Sequence, residues 1–272
     1  MRNACLACAV GLLVAACSSD PASEAARLTA AGNAYAGKQQ YAEALIEYRR
    51  ALQTDEKSAP ARLGLARALA ATNNYRDAYI EYRRVGDQMP DDIDVQAEVG
   101  NVLLLGRFFD EAKEHARRIL EKNPSHLPGL LLLGNALAGL RDFDSAVSVT
   151  QRAIEASPSR EGTYANLGAL ELARGNRAEA EQAFRKAVEL NPRSMAARLS
   201  LANFYREIVQ LDAAEEQLKE AIAIDPTQYR ANLALASLYI DTNLPARADP
   251  YMRRVAEVRN DADGWLNYAD YL

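Results

Sequence analysis

The chain has 272 residues, a formal net charge of −5, 49% hydrophobic and 25% charged residues, the proportions of a folded globular protein rather than a disordered one. Its three cysteines are Cys5, Cys8 and Cys17 and its two histidines are His115 and His126, which excludes a disulfide scaffold, a thiolate or multi-histidine metal site in the body, and a cysteine nucleophile there. The acidic balance argues against nucleic acid as a partner.

Met1-Arg2-Asn3 is a short positive start, followed by an apolar run from Ala4 to Ala16. The run has the length of a signal-peptide core and falls short of the ~18 residues a spanning helix needs. It ends in Val14-Ala15-Ala16-Cys17, which resembles the bacterial lipobox. That resemblance implies removal of residues 1–16 as a lipoprotein signal peptide and acylation of Cys17. Ser18 follows, where lipoproteins kept at the inner membrane of many Gram-negative bacteria carry aspartate, so the resemblance implies the periplasmic face of the outer membrane. Residues 17–24 are then a lipidated polar tether, about 20 Å at full extension, and multiple acyl chains hold far more durably than one.

From Ala25 the chain is periodic. Ala44, Ala78, Ala112, Ala146, Ala180, Ala214 and Ala248 are each 34 residues apart, and Pro90, Pro124, Pro158, Pro192 and Pro226 keep the same period. With repeats beginning at Ala25, Ala59, Ile93, Leu127, Glu161, Met195 and Tyr229, the eighth position is always small: Gly32, Ala66, Gly100, Gly134, Gly168, Ala202 and Ala236. Leu130, Leu133, Gly134 and Leu137 show the stripe of a helix buried on one side. Small residues let paired helices approach, and the prolines forbid continuation of the second helix. Strand signals are absent, and abundant alanine and leucine favour helix.

The large–x2–Leu–small–x2–aromatic start, internal alanines and closing proline resemble the tetratricopeptide repeat over residues 25–262. The resemblance implies an all-α fold. Seven helix-turn-helix repeats would stack into an α-solenoid, a right-handed superhelix, because one repeat cannot bury its own apolar face. Departures mark weak points: Glu56 replaces a closing proline, Glu171 the usual aromatic or aliphatic residue, and Arg177 the aromatic seen at Tyr41, Tyr75, Phe109 and Phe143. Pro250 falls inside the seventh repeat's second helix and predicts a kink or a late start, at a cost of ~3 kcal/mol. Residues 263–272, with Trp265-x2-Tyr268-Ala269-x2-Leu272, read as the start of an eighth repeat or a truncated capping helix. Caps present a polar outer face, so this apolar end favours a fragment of a longer array.

No motif for catalysis stands out, and the chain is expected to be non-catalytic, without cofactor or metal. Gly32-Asn33-Ala34-Tyr35-Ala36-Gly37-Lys38 matches most of a phosphate-binding loop, but no strand precedes it and the glycine pair recurs at Gly134 and Gly139, so the glycines belong to the repeat. His115 and His126 read as solvated. Basic pairs recur late in the second helices, at Arg49-Arg50, Arg83-Arg84, Arg117-Arg118, Arg185-Lys186 and Arg253-Arg254. Cations favour helix ends, and Glu47 and Glu81 sit three residues before Arg50 and Arg84. The alternative is a basic outer stripe that touches lipid headgroups or an anionic polysaccharide.

The repeat resemblance also implies that first helices line a concave groove. By position, Asn33, Asn101, Asn135 and Asn203 would face it from the ninth place and Leu63, Leu131, Leu199 and Leu233 from the fifth, with Leu104, Leu172 and Ile240 in the twelfth. A side-chain amide donates and accepts, so such a ladder suits the backbone of an extended peptide or a helix. The competing reading has these leucines packing between helices and the asparagines following consensus. Lysine is missing from the fifth place, so the carboxylate clamp of co-chaperone members is not expected.

Lipobox plus array resembles the repeat lipoproteins that accompany exosortase and exopolysaccharide export, on the phrases Gly134-Asn135-Ala136-Leu137-Ala138-Gly139-Leu140 and Ile46-Glu47-Tyr48-Arg49-Arg50-Ala51-Leu52. The resemblance implies a membrane-anchored adaptor with a protein partner in its groove. The alternatives are a pilotin-like lipoprotein for type IV pilus or secretin assembly, and a direct glycan-binding subunit of a polysaccharide export system.

Overall fold

The computed structural model describes residues 20–271; the stretch read as a signal peptide, Cys17 and the first residues of the stretch read as a tether lie outside them. Among the described residues every regular element is helical. The chain divides into two compact units, residues 1–95 and 96–272. Unit 1 contains α1 (Pro21–Gly37), α2 (Tyr41–Thr54), α3 (Ala59–Ala71) and α4 (Tyr75–Gln88), and the division falls within α5 (Ile93–Leu105). Unit 2 continues with α6 (Phe109–Lys122), α7 (Leu127–Gly139), α8 (Phe143–Ala156), α9 (Glu161–Ala173) and α10 (Arg177–Leu190). It ends with α11 (Met195–Glu207), α12 (Leu211–Ile224), α13 (Tyr229–Asp241), α14 (Pro245–Arg259) and α15 (Ala262–Tyr271).

The turn inside each helix pair explains why these elements stop and restart on a fixed period. Gln39, Asn73, Arg107, Arg141, Gly175, Val209 and Asn243 all have positive φ, between 56° and 86°, and each stands 34 residues from the next. The amide of the following residue reaches back five places, as in Asn74 N to Leu69 O (2.9 Å) and Gln210 N to Tyr205 O (2.8 Å). This is a left-handed helix end that satisfies carbonyls otherwise left without donors. One further residue starts the second helix.

In unit 1 the helices α1–α4 pack in chain order, and in unit 2 so do α6–α15, as in a solenoid. In unit 1, Ala44 and Ala78 are buried at the twentieth position, and the Tyr48 ring lies across Gly32 and Gly64. A Cβ at Gly32 would stand 2.6 Å from that ring, so only glycine permits this approach. Unit 2 repeats the arrangement with Ala112, Ala146, Ala180, Ala214 and Ala248 fully buried and with Phe184 across Gly168. Gly32 and Gly37 therefore belong to a helix and its end, as the repeat assignment requires.

Two expectations change. Helix α1 begins at Pro21, so residues 21–24 of the stretch read as tether are helical, with proline in the first turn where its missing N–H costs nothing. Of the kink or late start expected at Pro250, the late start does not occur: helix α14 begins at Pro245 and runs through Pro250. Both Ala246, whose carbonyl loses its donor, and Pro250 are exposed, so water takes the orphaned carbonyl. Helix α15 packs on α14 through Gly264 and Tyr268, leaving Trp265 and Leu266 exposed.

Candidate binding face

The ninth position of the first helices is solvent-facing in both units. Asn33 on α1 is exposed, but its Oδ1 accepts from Tyr48 Oη at 2.7 Å, so part of its amide is already engaged. In unit 2, Asn101 on α5, Asn135 on α7 and Asn203 on α11 are exposed, and among the described residues their side chains have no hydrogen-bond partner. Helix α9 carries exposed Ala169 at that place. Asn203 opens onto a cleft of about 360 Å³ between α11 and α13, floored by Leu238 and edged by Arg206, Asp241 and Thr242. Arg206 and Asp241 pair across its mouth at 3.5 Å.

The leucines divide differently. Leu63 is only 9% exposed and belongs to the core of unit 1, so it presents almost no surface to a ligand. Leu131, Leu199 and Leu233 are half-buried, with Leu131 and Leu199 packed against core clusters of unit 2. They combine the two roles the sequence left open, packing with one edge and facing water with the other. Leu104 and Leu172 are half-buried, and Ile240 is 43% exposed.

The fourth position holds residues that sequence reasoning missed. In unit 1, Arg62 is buried with its guanidinium 2.8 Å from Glu81, and it donates to Glu56 O (2.6 Å) and Gln88 Oε1 (3.1 Å). In unit 2, Arg198 donates to Pro192 O (2.8 Å) and Gln217 Oε1 (3.1 Å), and Asn232 to Pro226 O (3.1 Å). Each clasps the carbonyl six residues before itself, in the turn that leads into its own helix. The only sequence signal was polarity at a position whose neighbours Ala61, Ala197 and Ala231 are buried.

Neither histidine is merely solvated. His115 Nδ1 lies 2.7 Å from Gln96 Oε1, which makes Nδ1 the protonated nitrogen if the Gln96 carbonyl accepts. His126 is the N-cap of α7 and accepts from Gly129 N at 3.2 Å. The basic pairs are largely neutralised locally: Arg50 by Glu47, Arg84 by Glu81, Arg117 by Glu114, Arg185 by Glu181, and Arg254 by Glu257.

A second cleft, of about 840 Å³, lies between α8, α9 and α10 and was not foreseen. It is open because Glu171 turns inward to Arg174 (3.0 Å) and Asn176 (2.8 Å), whereas Tyr205 at the equivalent place in the next repeat reaches across to Glu181 (3.1 Å). Among the described residues no group of three or more potential ligands is placed to hold a metal, and no helix is long and apolar enough to cross a membrane.

Residues 35–98, 100–161 and 166–229, well over half the chain, match families described as tetratricopeptide repeat. No curated protein matches. A tetratricopeptide repeat protein from Parabacteroides merdae is similar in structure, with TM-score 0.75 and 14% identity over 91% of this chain and 98% of that one. A thermophilic repeat protein from Thermus thermophilus gives TM-score 0.59 and 22% identity over 67% of this chain and 100% of that one. MamA from Desulfovibrio magneticus gives TM-score 0.58 and 19% identity over 62% and 96% respectively. At these identities the likeness concerns the fold alone.

Proposed function

Because the chain belongs to the tetratricopeptide repeat family, we propose that it is a non-catalytic scaffold that holds a protein partner along the first-helix face of unit 2. Proteins of this family are generally scaffolds for other proteins. The observation that carries the reading is the set of exposed amides at Asn101, Asn135 and Asn203, none occupied by a partner among the described residues. Exposed amides that both donate and accept serve a peptide main chain without demanding one sequence. The water-facing edges of Leu131, Leu199 and Leu233 add apolar contact beside them.

The same reading makes Cys17 the point of attachment, holding the scaffold at the periplasmic face of the outer membrane in service of envelope export of the exopolysaccharide or exosortase type. The support for that part is the lipobox-like Val14-Ala15-Ala16-Cys17 and the phrases shared with the repeat lipoproteins of those systems.

A photo-crosslinking side chain at Asn135 should capture one discrete protein adduct in cells, and one at Ser148 on the outer side of α8 should not. Replacing Asn101, Asn135 and Asn203 together by alanine should remove binding of the captured protein without lowering thermal stability. Equal capture from both positions, or binding unchanged in the triple variant, overturns the proposal.

A further inference from the structure

We propose that the cleft between α8, α9 and α10 receives an arginine side chain of a partner polypeptide, held by Glu179. The cleft, about 840 Å³ in volume, is separate from the first-helix face. Leu167 and Glu171 line it from α9. Each stands two residues from Ala169, the ninth-place residue of that helix, and so lies roughly 200° around the helix from it.

The other repeats show what fills the equivalent space. In the second and sixth repeats an arginine at the fourth position of the first helix crosses to the second helix: Arg62 donates to Glu81 (2.8 Å) and Arg198 to Gln217 (3.1 Å). In the fifth repeat the same two places hold Tyr164 and Ala183, and the Tyr164 hydroxyl has no hydrogen-bond partner among the described residues. Ala183 contributes only a methyl group, and Glu171 turns away to Arg174 and Asn176. What remains is a floor of buried Ala183 and half-buried Leu167. A long apolar stem with a polar head suits such a floor.

Charge decides which head. The carboxylates Glu171, Glu179, Glu181 and Glu189 line the cleft, against the cations Arg185 and Lys186. Arg185 is taken by Glu181 (2.9 Å), Lys186 by Glu189 (2.9 Å), and Glu171 by Arg174 (3.0 Å) from outside the lining. Glu179 is left over, exposed and without an ion pair or hydrogen bond among the described residues. Its helix places no cation one turn away, where Gly175, Asn176, Gln182 and Ala183 stand. Arg177, two residues before it, lies roughly 200° around the helix. Gln182 shares the face of Glu179, and its amide is also without a partner. Carboxylate and amide oxygens side by side suit the forked donors of a guanidinium, which an ammonium lacks. The neutralised Lys186 lies on the far side of Ala183, so the stem crosses Leu167 and Ala183 with its head at the Glu179 end.

The test titrates the full chain with N-acetyl-arginine methylamide, with its lysine analogue, and with the citrulline analogue, which has the shape of arginine without the charge. The side-chain amide resonances of Gln151 and Gln182, on opposite walls of the cleft, and of Asn135 are followed by NMR. The expected result is saturable shifts at Gln151 and Gln182 with the arginine compound, none at Asn135, and several-fold weaker binding of the lysine and citrulline compounds. Glu179→Gln should weaken arginine binding about fivefold. Ala183→Gln, which gives the floor the side chain that Gln217 supplies in the next repeat, should abolish the shifts at an unchanged thermal midpoint. Citrulline bound as tightly as arginine, or an unchanged affinity in Glu179→Gln, overturns the charge argument and the proposal with it. Shifts that persist in Ala183→Gln overturn the placement in the cleft. Because Glu179 is exposed, its variant decides the matter even where Ala183→Gln lowers the midpoint. The absence of any saturable shift at Gln151 and Gln182 overturns this site and leaves the first-helix face, which is tested through Asn135 and its own partner, standing.

Discussion

The phenol of Tyr239 donates to Glu215 Oε1 at 3.0 Å, joining the first helix of one repeat to the second helix of the repeat before it. The same carboxylate holds Lys219 at 2.6 Å and Arg247 at 2.5 Å, and Arg247 lies over the Tyr239 ring, 4.3 Å from its centroid. Thirty-four residues earlier Tyr205 donates to Glu181 (3.1 Å) beside Arg185 (2.9 Å), and further on Tyr268 donates to Asp249 (2.7 Å) beside Arg253 (3.5 Å). In unit 2 a tyrosine, a carboxylate and a cation thus recur as a bridge between neighbouring repeats.

The bridge predicts an acid-sensitive contribution to the stability of unit 2. Burial alone would raise the Glu215 pKa, but hydrogen bonds from Lys219 and Tyr239 and the charges of Lys219 and Arg247 outweigh it, so the carboxyl titrates below its ordinary value of 4.5. A lowered folded pKa means stability that is fully present above the unfolded value and lost as pH falls through the folded one. Denaturant unfolding measured from pH 7 downward should therefore show a loss below about pH 4.5 that shrinks in Glu215→Gln. An identical acid limb in the variant would refute the assignment. Tyr239→Phe, which removes one hydrogen bond to a charged group, should cost ~1–2 kcal/mol at neutral pH.

Val209 supplies a second prediction from the turn geometry. It is β-branched, 73% exposed, and held at φ 61°. A left-handed conformation costs a non-glycine residue ~1–2 kcal/mol, and Asn73 and Asn243 occupy the same turn position with φ 60° and 56°. Val209→Asn should raise stability by ~1 kcal/mol, read as a shift of about 2–4 °C in the thermal midpoint. A lowered midpoint would show that Val209 makes a contact worth more than the strain.

These two cases show how differently parts of the molecule were legible. Buried alanines every 34 residues, from Ala44 to Ala248, gave the helix pairs and their period because each leaves room for one close helix approach. The bridges were less visible. Glu215 and Tyr239 lie 24 residues apart, and only stacking of neighbouring repeats brings them together. Arg62 was invisible for the same reason, since Glu81 and Gln88 lie 19 and 26 residues further on. Asn135 could be placed on a face by counting, but whether its amide was free depended on whether a residue such as Tyr48, which engages Asn33, stood opposite.

Arg62 predicts an asymmetric pair of outcomes. Its side chain is 8% exposed against 12% for Glu81, and removing one partner of a buried ion pair leaves the other charge uncompensated, at a cost of ~3–5 kcal/mol. Glu81 keeps Arg84 at 2.8 Å, which places Arg62→Ala near the lower figure, ~3 kcal/mol. The double variant Arg62→Met with Glu81→Met should recover most of that loss, because two apolar side chains leave no buried charge. Urea unfolding of unit 1 distinguishes the cases; a double variant as unstable as the single one would mean that the clasp on Glu56 O, rather than the ion pair, carries the stability.

The fifth and ninth places of the first helices should separate stability from binding. Leu63, 9% exposed, sits in the core, and truncating a buried leucine costs ~2–5 kcal/mol through lost transfer energy and the cavity left behind. Leu63→Ala should therefore lower the thermal midpoint and change partner binding only through lost folded protein. Asn135 is exposed and makes no hydrogen bond among the described residues, so Asn135→Ala should leave stability within ~0.5 kcal/mol. If it orients a bound main chain, the same substitution removes a hydrogen bond worth ~0.5–1.5 kcal/mol, about two- to tenfold in affinity. Asn33→Ala lies between them: it strips the acceptor from Tyr48 Oη, 2.7 Å away, and should cost ~1 kcal/mol of unit 1 stability. Calorimetric midpoints and affinities for the captured partner, measured on the same three variants, decide the point. A stability loss in Asn135→Ala matching that of Asn33→Ala would mean that its amide serves the fold rather than a ligand.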